Sequence, residues 1–206
     1  MAGGTSMEQR HKKKQSGLFG LVCAALLGLV LMVCGGCASQ GDLFRDPSMD
    51  FGAIRTVAVM PFTNLSRDQL AGERVRDVYS NALMSTGAIY SLPTGEIARA
   101  ISNIGLSNST APSIEDAVKL SKALKADAII TGVVREYGDV RAGNAAADVI
   151  ALSMQLIEGQ TGRVVWSAST SQGGIGIMEK LFGGGGKPIN DVTEKAVNDL
   201  INKLFE

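Results

Sequence analysis

Thiols and imidazoles carry much of protein catalysis and metal binding, and this 206-residue chain places all of them near its start. They are His11, Cys23, Cys34 and Cys37. Lys12-Lys13-Lys14 precedes an apolar run from Gly17 to Val33, which leads into Cys34-Gly35-Gly36-Cys37-Ala38-Ser39. A positive stretch, an apolar core and small residues before a cut form a secretory signal, and the expected cut falls between Gly36 and Cys37. His11, Cys23 and Cys34 would leave with the signal. The mature chain would then have no imidazole, so Ser-His-Asp and Cys-His catalysis are excluded, as are zinc sites built on Cys or His. What survives is carboxylate or lysine chemistry.

Two carboxylate pairs invite a hydrolytic reading, Glu115 with Asp116 and Asp148 with Glu158. The first falls at the start of a predicted helix, where acids complement the dipole. The second flanks a predicted strand, as ordinary edge charges do. Gly183-Gly184-Gly185-Gly186-Lys187 is not a phosphate loop. That motif needs Gly where Leu181 stands and Ser or Thr where Pro188 stands. No catalytic residue and no metal ligand is expected.

Cys37 itself has a different chemistry. The run Gly35-Gly36-Cys37 resembles the lipobox of bacterial lipoproteins, in which the cysteine is diacylated and becomes the first mature residue. Cys34 stands where the lipobox usually has Leu, and it is a poor acceptor because the bulky Val33 precedes it. The apolar run is at the lower limit for spanning a bilayer, and a spanning helix would need no Gly-Gly-Cys at its end. The expected organisation is a signal peptide at 1–36, a lipidated cysteine and polar tether at 37–53, and one domain at 54–206. Removing 1–36 takes four basic residues and one acid from totals of 20 and 20, leaving 16 against 19. That mildly acidic balance leaves nucleic-acid binding without its electrostatic drive.

The domain's elements follow from periodicity. Ile54–Phe62 is apolar on both faces, as in a strand covered on two sides, and Pro61 ends it. Ser66 with Gln69 reads as a capping box for a helix whose stripe is Val75, Val78, Tyr79, Ala82 and Leu83, stopped by Gly87. A short strand over Ala88–Leu92 follows, then a helix capped by Thr94 with Ile97, Ile101 and Ile104 on one face. Ser113 caps a third helix with Ala117, Leu120, Ser121 and Leu124 buried. Asp127–Tyr137 is a strand, Gly138–Ala147 a polar loop, and 148–158 with 163–172 a hairpin. Trp166 and Tyr137 are core or sheet-face residues. A last helix starts near Asn190 and buries Val197, Leu200, Ile201 and Leu204. The order β-α-β-α-α-β-β-β-α gives an α/β (α+β) fold, a mixed sheet with helices packed on it.

Between the hairpin and the last helix lies Gly173–Pro188. Its Ile175, Ile177, Met178, Leu181 and Phe182 are apolar at near-helical spacing between glycine runs. It reads either as a docking flap for a partner or membrane surface, or as a short helix completing the core.

The opening VAVMPFTN, the phrase KALKADAIITGVVREYG and the hairpin LSMQLIEGQTGRVVWSAS together resemble the CsgG-type lipoprotein superfamily. It includes the curli secretion channel, the penicillin-binding-protein activator LpoB and the TolB amino-terminal domain. The resemblance covers residues 54–206 and implies a TolB-N/CsgG-like fold facing the periplasm. It implies a non-enzymatic structural or accessory subunit of an envelope assembly, with activation of a peptidoglycan synthase or a secretion-channel role as alternatives. A channel subunit would need amphipathic hairpins of about 20 residues or more, longer than the loops here supply. An LpoB-like activator reaches its enzyme through a long linker, which 38–53 does not match. Expected partners are the membrane through the lipid on Cys37, other envelope proteins and copies of the chain itself. No cofactor beyond that covalent lipid is expected. Ala38 after the lipidated cysteine, rather than Asp, favours the outer membrane under the sorting rule of enteric bacteria.

Overall fold

The computed structural model describes residues 43–142, 145–174 and 186–206. Seven strands form one mixed sheet in the order β1-β7-β6-β5-β2-β4, with β3 also pairing β5. The strands are β1 (Leu43–Arg45), β2 (Thr56–Val59), β3 (Thr63–Asn64), β4 (Tyr90–Ser91), β5 (Ala128–Ala142), β6 (Ala145–Glu158) and β7 (Val164–Gly173). The helices are α1 (Ala71–Ser85), α2 (Thr94–Ile104), α3 (Ile114–Leu124) and α4 (Ile189–Phe205). β2 pairs β4 and β5 in parallel, whereas β5, β6, β7 and β1 are antiparallel in turn.

The sequence pattern explains which face each strand buries. In β2, Val57 and Val59 join one core cluster while Ala58 joins a second one on the other face, with Met60 just beyond. α1 and α4 cover the first face, setting Val75, Tyr79, Leu83, Val197 and Leu204 against Ile130, Leu152, Met154 and Trp166. α2 and α3 cover the second, where Ile97, Leu120 and Leu124 meet Met60 and Ile129. The second cluster ends at Ile157 and Val164. Beyond it that face of β6 and β7 carries Ser153, Gln155, Ser167 and Ser169, all at least partly open to water, as antiparallel sheets allow.

Several expectations shift. Leu43–Arg45, placed in the tether, is an edge strand on β7 with Arg45 opposite Trp166. Only residues 38–42 then separate Cys37 from the first strand, at most about 18 Å of chain. Gly138–Ala147, read as a loop, is mostly strand: β5 and β6 stay paired to Ala142↔Ala145. Cross-strand hydrogen bonding holds that ribbon although its side chains carry no alternation. β7 stops at Gly173↔Val149, and Val149 faces Gly138. Each described arm therefore passes the end of β7 by four residues, 139–142 on β5 and 145–148 on β6, short of the 9–11 of a membrane strand.

Helix starts also differ. Ser66 does not cap α1. Its hydroxyl donates to Asn64 Oδ1 at 2.7 Å, and Asp68 Oδ1 accepts from Leu70 N at 2.8 Å. Helix α1 begins at Ala71, and neither α2 nor α4 has a side-chain cap. Ser113 caps α3 as expected, accepting from Asp116 N at 3.2 Å.

Candidate interaction surface

Among the described residues, no three His, Cys, Asp or Glu side chains gather as a metal site would require. The sequence-derived carboxylate pairs do not converge on a reaction centre. Glu115 and Asp116 are in the exposed first turn of α3, where Asp116 Oδ2 accepts from the Ser113 hydroxyl at 2.8 Å. Asp148 and Glu158 lie ten residues apart on β6, about 34 Å along an extended strand. Gly36 and Cys37 lie outside the described residues, as do Ile175, Ile177, Met178, Leu181 and Phe182. The chain enters and leaves that last segment at the β5–β6 ribbon. Gly174 N donates to Asp148 O at 2.9 Å, and Gly186 N donates to Ala146 O at 3.2 Å.

The groups whose pKa departs from its ordinary value have structural surroundings that account for it. Burial pushes the Tyr79 hydroxyl well above its ordinary range, and the ring packs edge-to-face on Phe62 with centroids 6.2 Å apart. Burial likewise lowers the Arg76 guanidinium from its usual value where its Nε and Nη2 donate to Val59 O at 2.9 and 2.6 Å. The Ser48 hydroxyl and backbone N–H, with Arg163 nearby, hold Asp46 below the usual carboxylate range against a smaller cost of burial.

A groove of about 700 Å³ lies at the pole where β5 begins. Three separate segments build it: the stretch from Ser48 to Ile54, the end of α3 from Ser121 to Asp127, and the turn Glu158–Gln160. Asp127 ties two of them to the sheet, since its Oδ2 accepts from Arg55 N and Thr56 N, both at 2.9 Å. Gly159 N donates to Asp127 O at 2.8 Å. A β-carbon on Gly159 would stand 2.8 Å from Ala126 O and Asp127 O, so only glycine lets the turn approach α3 this closely.

Lys125 is the unusual residue of the groove. It follows the last residue of α3 with φ 53° and ψ 38°, its N–H returning to Ser121 O and Lys122 O. It is the one non-glycine residue with positive φ among the described residues. A left-handed residue after a helix is usually glycine, because a β-carbon there costs about 1–2 kcal/mol. Beside it the Ser121 hydroxyl is buried with no hydrogen-bond partner, and Ser121 lines the groove.

Sequence reading missed this groove. Its residues come from three stretches far apart in the chain. The one local signal was a lysine where the end of α3 calls for glycine.

The fold and the sequence can be compared with known proteins. The family model described as "Peptidoglycan-synthase activator LpoB" matches residues 41–171. That span runs from just before β1 almost to the end of β7. No curated protein matches the sequence. Among solved structures, the PelC dodecamer of Paraburkholderia phytofirmans superposes with a TM-score of 0.54 at 17% identity, over 80% of this chain and 98% of that one. Lipoprotein GNA1162 of Neisseria meningitidis gives 0.53 at 19% identity, over 73% and 98%. The hypothetical protein CT253 of Chlamydia trachomatis gives 0.51 at 12% identity, over 74% and 96%. At such identities the likeness is one of fold. The family match covers more than half of the sequence, so the chain belongs to the LpoB family of peptidoglycan-synthase activators.

Proposed function

We propose that this protein is a periplasm-facing accessory lipoprotein that binds a peptidoglycan synthase and raises its activity by contact, without catalysing a reaction itself. The family match over residues 41–171 carries this reading. Cleavage after Gly36 and acylation of Cys37 would anchor it, and Ala38 favours the outer membrane. The synthase would need to present its contact surface close to the anchoring membrane, because about 18 Å of chain at most separates Cys37 from β1.

The groove at the start of β5 is the proposed contact. A lysine kept in a left-handed conformation where glycine would be more stable is a local rule broken, and such breaks concentrate at functional sites. The test is reconstitution. The lipidated protein, added to a purified bifunctional peptidoglycan synthase of the same organism and its lipid-linked precursor, should accelerate glycan polymerisation or cross-linking. An unchanged rate, with no co-purification of the two proteins, would sink the proposal. Cys37→Ser should release the protein from membranes and leave stimulation in detergent intact.

A further inference from the structure

Three large apolar side chains are left open to water on two elements that touch. Leu43 and Phe44 on β1 are 46% and 50% exposed, and Phe205 in the last turn of α4 is 44% exposed. Arg45 Nη1 donates to Leu204 O at 2.9 Å, which holds the peptide leading into Phe205 against β1. Alternation along the strand puts Leu43 on the α4 side with Arg45 and turns Phe44 to the open face beside Ser167. Exposed edge strands are usually guarded by charge, lysine or proline. β1 presents Leu-Phe instead, and its outer side carries no strand among the described residues.

The length of the preceding chain says what lies against this edge. Residues 38–42 separate Cys37 from Leu43, at most about 18 Å. With lipid on Cys37, Leu43 is the point from which the domain hangs on the bilayer, and the apolar cluster surrounds that point. A tether this short makes a weak surface contact effectively intramolecular, so it is populated without being strong. Charge does not oppose it. Asp46 is paired with Arg163 and Asp199 with Lys203, while Asp42 and Glu206 flank the cluster in sequence against Arg45. The small acidic excess leaves apolar burial, rather than attraction to anionic lipid, as the driving force.

We propose that Leu43, Phe44 and Phe205 form a membrane-contact surface, seated in the interfacial layer of the phospholipid bilayer that holds Cys37. The inference rests on the anchoring reading for Cys37 and adds which side of the domain meets the lipid. Contact is shallow, because the outer backbone groups of β1 need hydrogen bonds that water and headgroups supply and hydrocarbon does not. Three half-open side chains cannot hold a protein on a membrane alone. Their role is to orient a domain that the lipid already retains.

The mature lipidated chain has no free thiol, since Cys23 and Cys34 leave with the signal and Cys37 is blocked. A single introduced cysteine can therefore carry a nitrobenzoxadiazole reporter. Phe44→Cys and Phe205→Cys test the surface, and Tyr90→Cys, exposed on β4 at the other edge of the sheet, is the control. The full lipidated chains are reconstituted in phosphatidylcholine vesicles with a nitroxide at the top of the acyl chains, and acylation of Cys37 is read by mass spectrometry. Reporters at 44 and 205 should lose most of their emission, equally at low and high salt, and the reporter at 90 should lose none. Adding Leu43→Ser and Phe205→Ser to the chain labelled at 44 should weaken its quenching with little change in melting temperature, since neither side chain is buried. Equal quenching at all three positions, or none at 44 and 205 in an acylated chain, would overturn the contact and leave the anchoring reading standing. An unacylated Cys37 would overturn the anchoring reading and the contact with it, and the mass spectrum tells the two failures apart. A blue shift at 44 without lipid quenching, growing with protein density, would mean that a second copy covers the cluster, and the proposal would fall.

Discussion

Arg45 and Trp166 face each other across β1 and β7, and their side chains cap the same helix end. Trp166 Nε1 donates to Lys203 O at 3.0 Å, and Arg45 Nη1 donates to Leu204 O at 2.9 Å. The last carbonyls of a helix have no partner within it, so two adjacent strands supply what α4 lacks. Arg45 also lies over the Phe51 ring, 3.8 Å from its centroid, and Trp166 is fully buried. The pair ties β1 to the core through α4. Trp166→Phe should cost about 1–3 kcal/mol through the unpaired carbonyl and the void left behind. Arg45→Ala should cost about 1–2 kcal/mol through the lost hydrogen bond and ring contact. Thermal melts of the single and double variants check this. The two losses should fail to add, since both act on one helix end.

Lys125→Gly should stabilise the protein by about 1 kcal/mol, or roughly 2–4 °C in Tm for a domain of this size. The glycine would take up the same left-handed backbone without a β-carbon, and Lys125 is in none of the four ion pairs among the described residues. Differential scanning calorimetry of the two chains measures the shift. A drop in Tm would mean that the lysine side chain stabilises the fold, and the case for a functional lysine at that position would be lost.

These two features differ in how far the sequence discloses them. Val75, Tyr79 and Leu83 in α1, or Leu120 and Leu124 in α3, repeat at helical spacing and are buried as read. Burial of that kind is a one-dimensional pattern. β1 is three residues long between Asp42 and Asp46, and its pairing depends on a strand more than a hundred residues later. No local pattern announces it. The capping box at Ser66 failed because Asn64 Oδ1 takes the Ser66 N–H and hydroxyl, Asp68 Oδ1 takes Leu70 N, and the helix begins only at Ala71. The groove is hidden for a similar reason, since Asp50, Lys122 and Glu158 become neighbours only when β2, β5 and β6 align.

Acid should unfold the protein partly through two aspartates. Ser48 donates to Asp46 Oδ1 through its hydroxyl at 2.6 Å and its N–H at 2.9 Å, and Arg163 Nη2 lies 3.0 Å from Oδ2. Burial disfavours the ionised Asp199, but hydrogen bonds from Lys203 and Thr170, with the Lys203 and Lys195 charges, outweigh it. Both folded carboxyls sit below the ordinary value of 3.8. A depressed folded pKa means that the unfolded chain binds more protons at a given acid pH. The stabilisation is therefore present above 3.8 and is lost as pH falls through the lower folded values. Tm measured from neutral pH downward should decline in that window. Asp46→Asn and Asp199→Asn should each flatten the decline, and identical acid limbs in all three chains would refute the assignment.

Gly132 on β5 gives the sharpest packing test. A β-carbon there would meet the Phe62 ring at 2.7 Å from Cδ1, 2.8 Å from Cε1 and 2.9 Å from Cγ. Phe62 cannot retreat freely, because its ring packs against Tyr79 in the core beneath α1. Gly132→Ala should therefore lower stability by about 1–3 kcal/mol, the usual cost of overpacking, although alanine is otherwise acceptable in a strand. Phe62→Leu removes the ring that obstructs the new methyl group. Alone it should destabilise by leaving Tyr79 without its aromatic neighbour. Combined with Gly132→Ala it should recover part of the loss, giving a double variant more stable than the sum of the single effects implies. Chemical denaturation of the four chains measures the coupling. Strict additivity would show that the β5 backbone, rather than the Phe62 ring, sets the requirement for glycine at position 132.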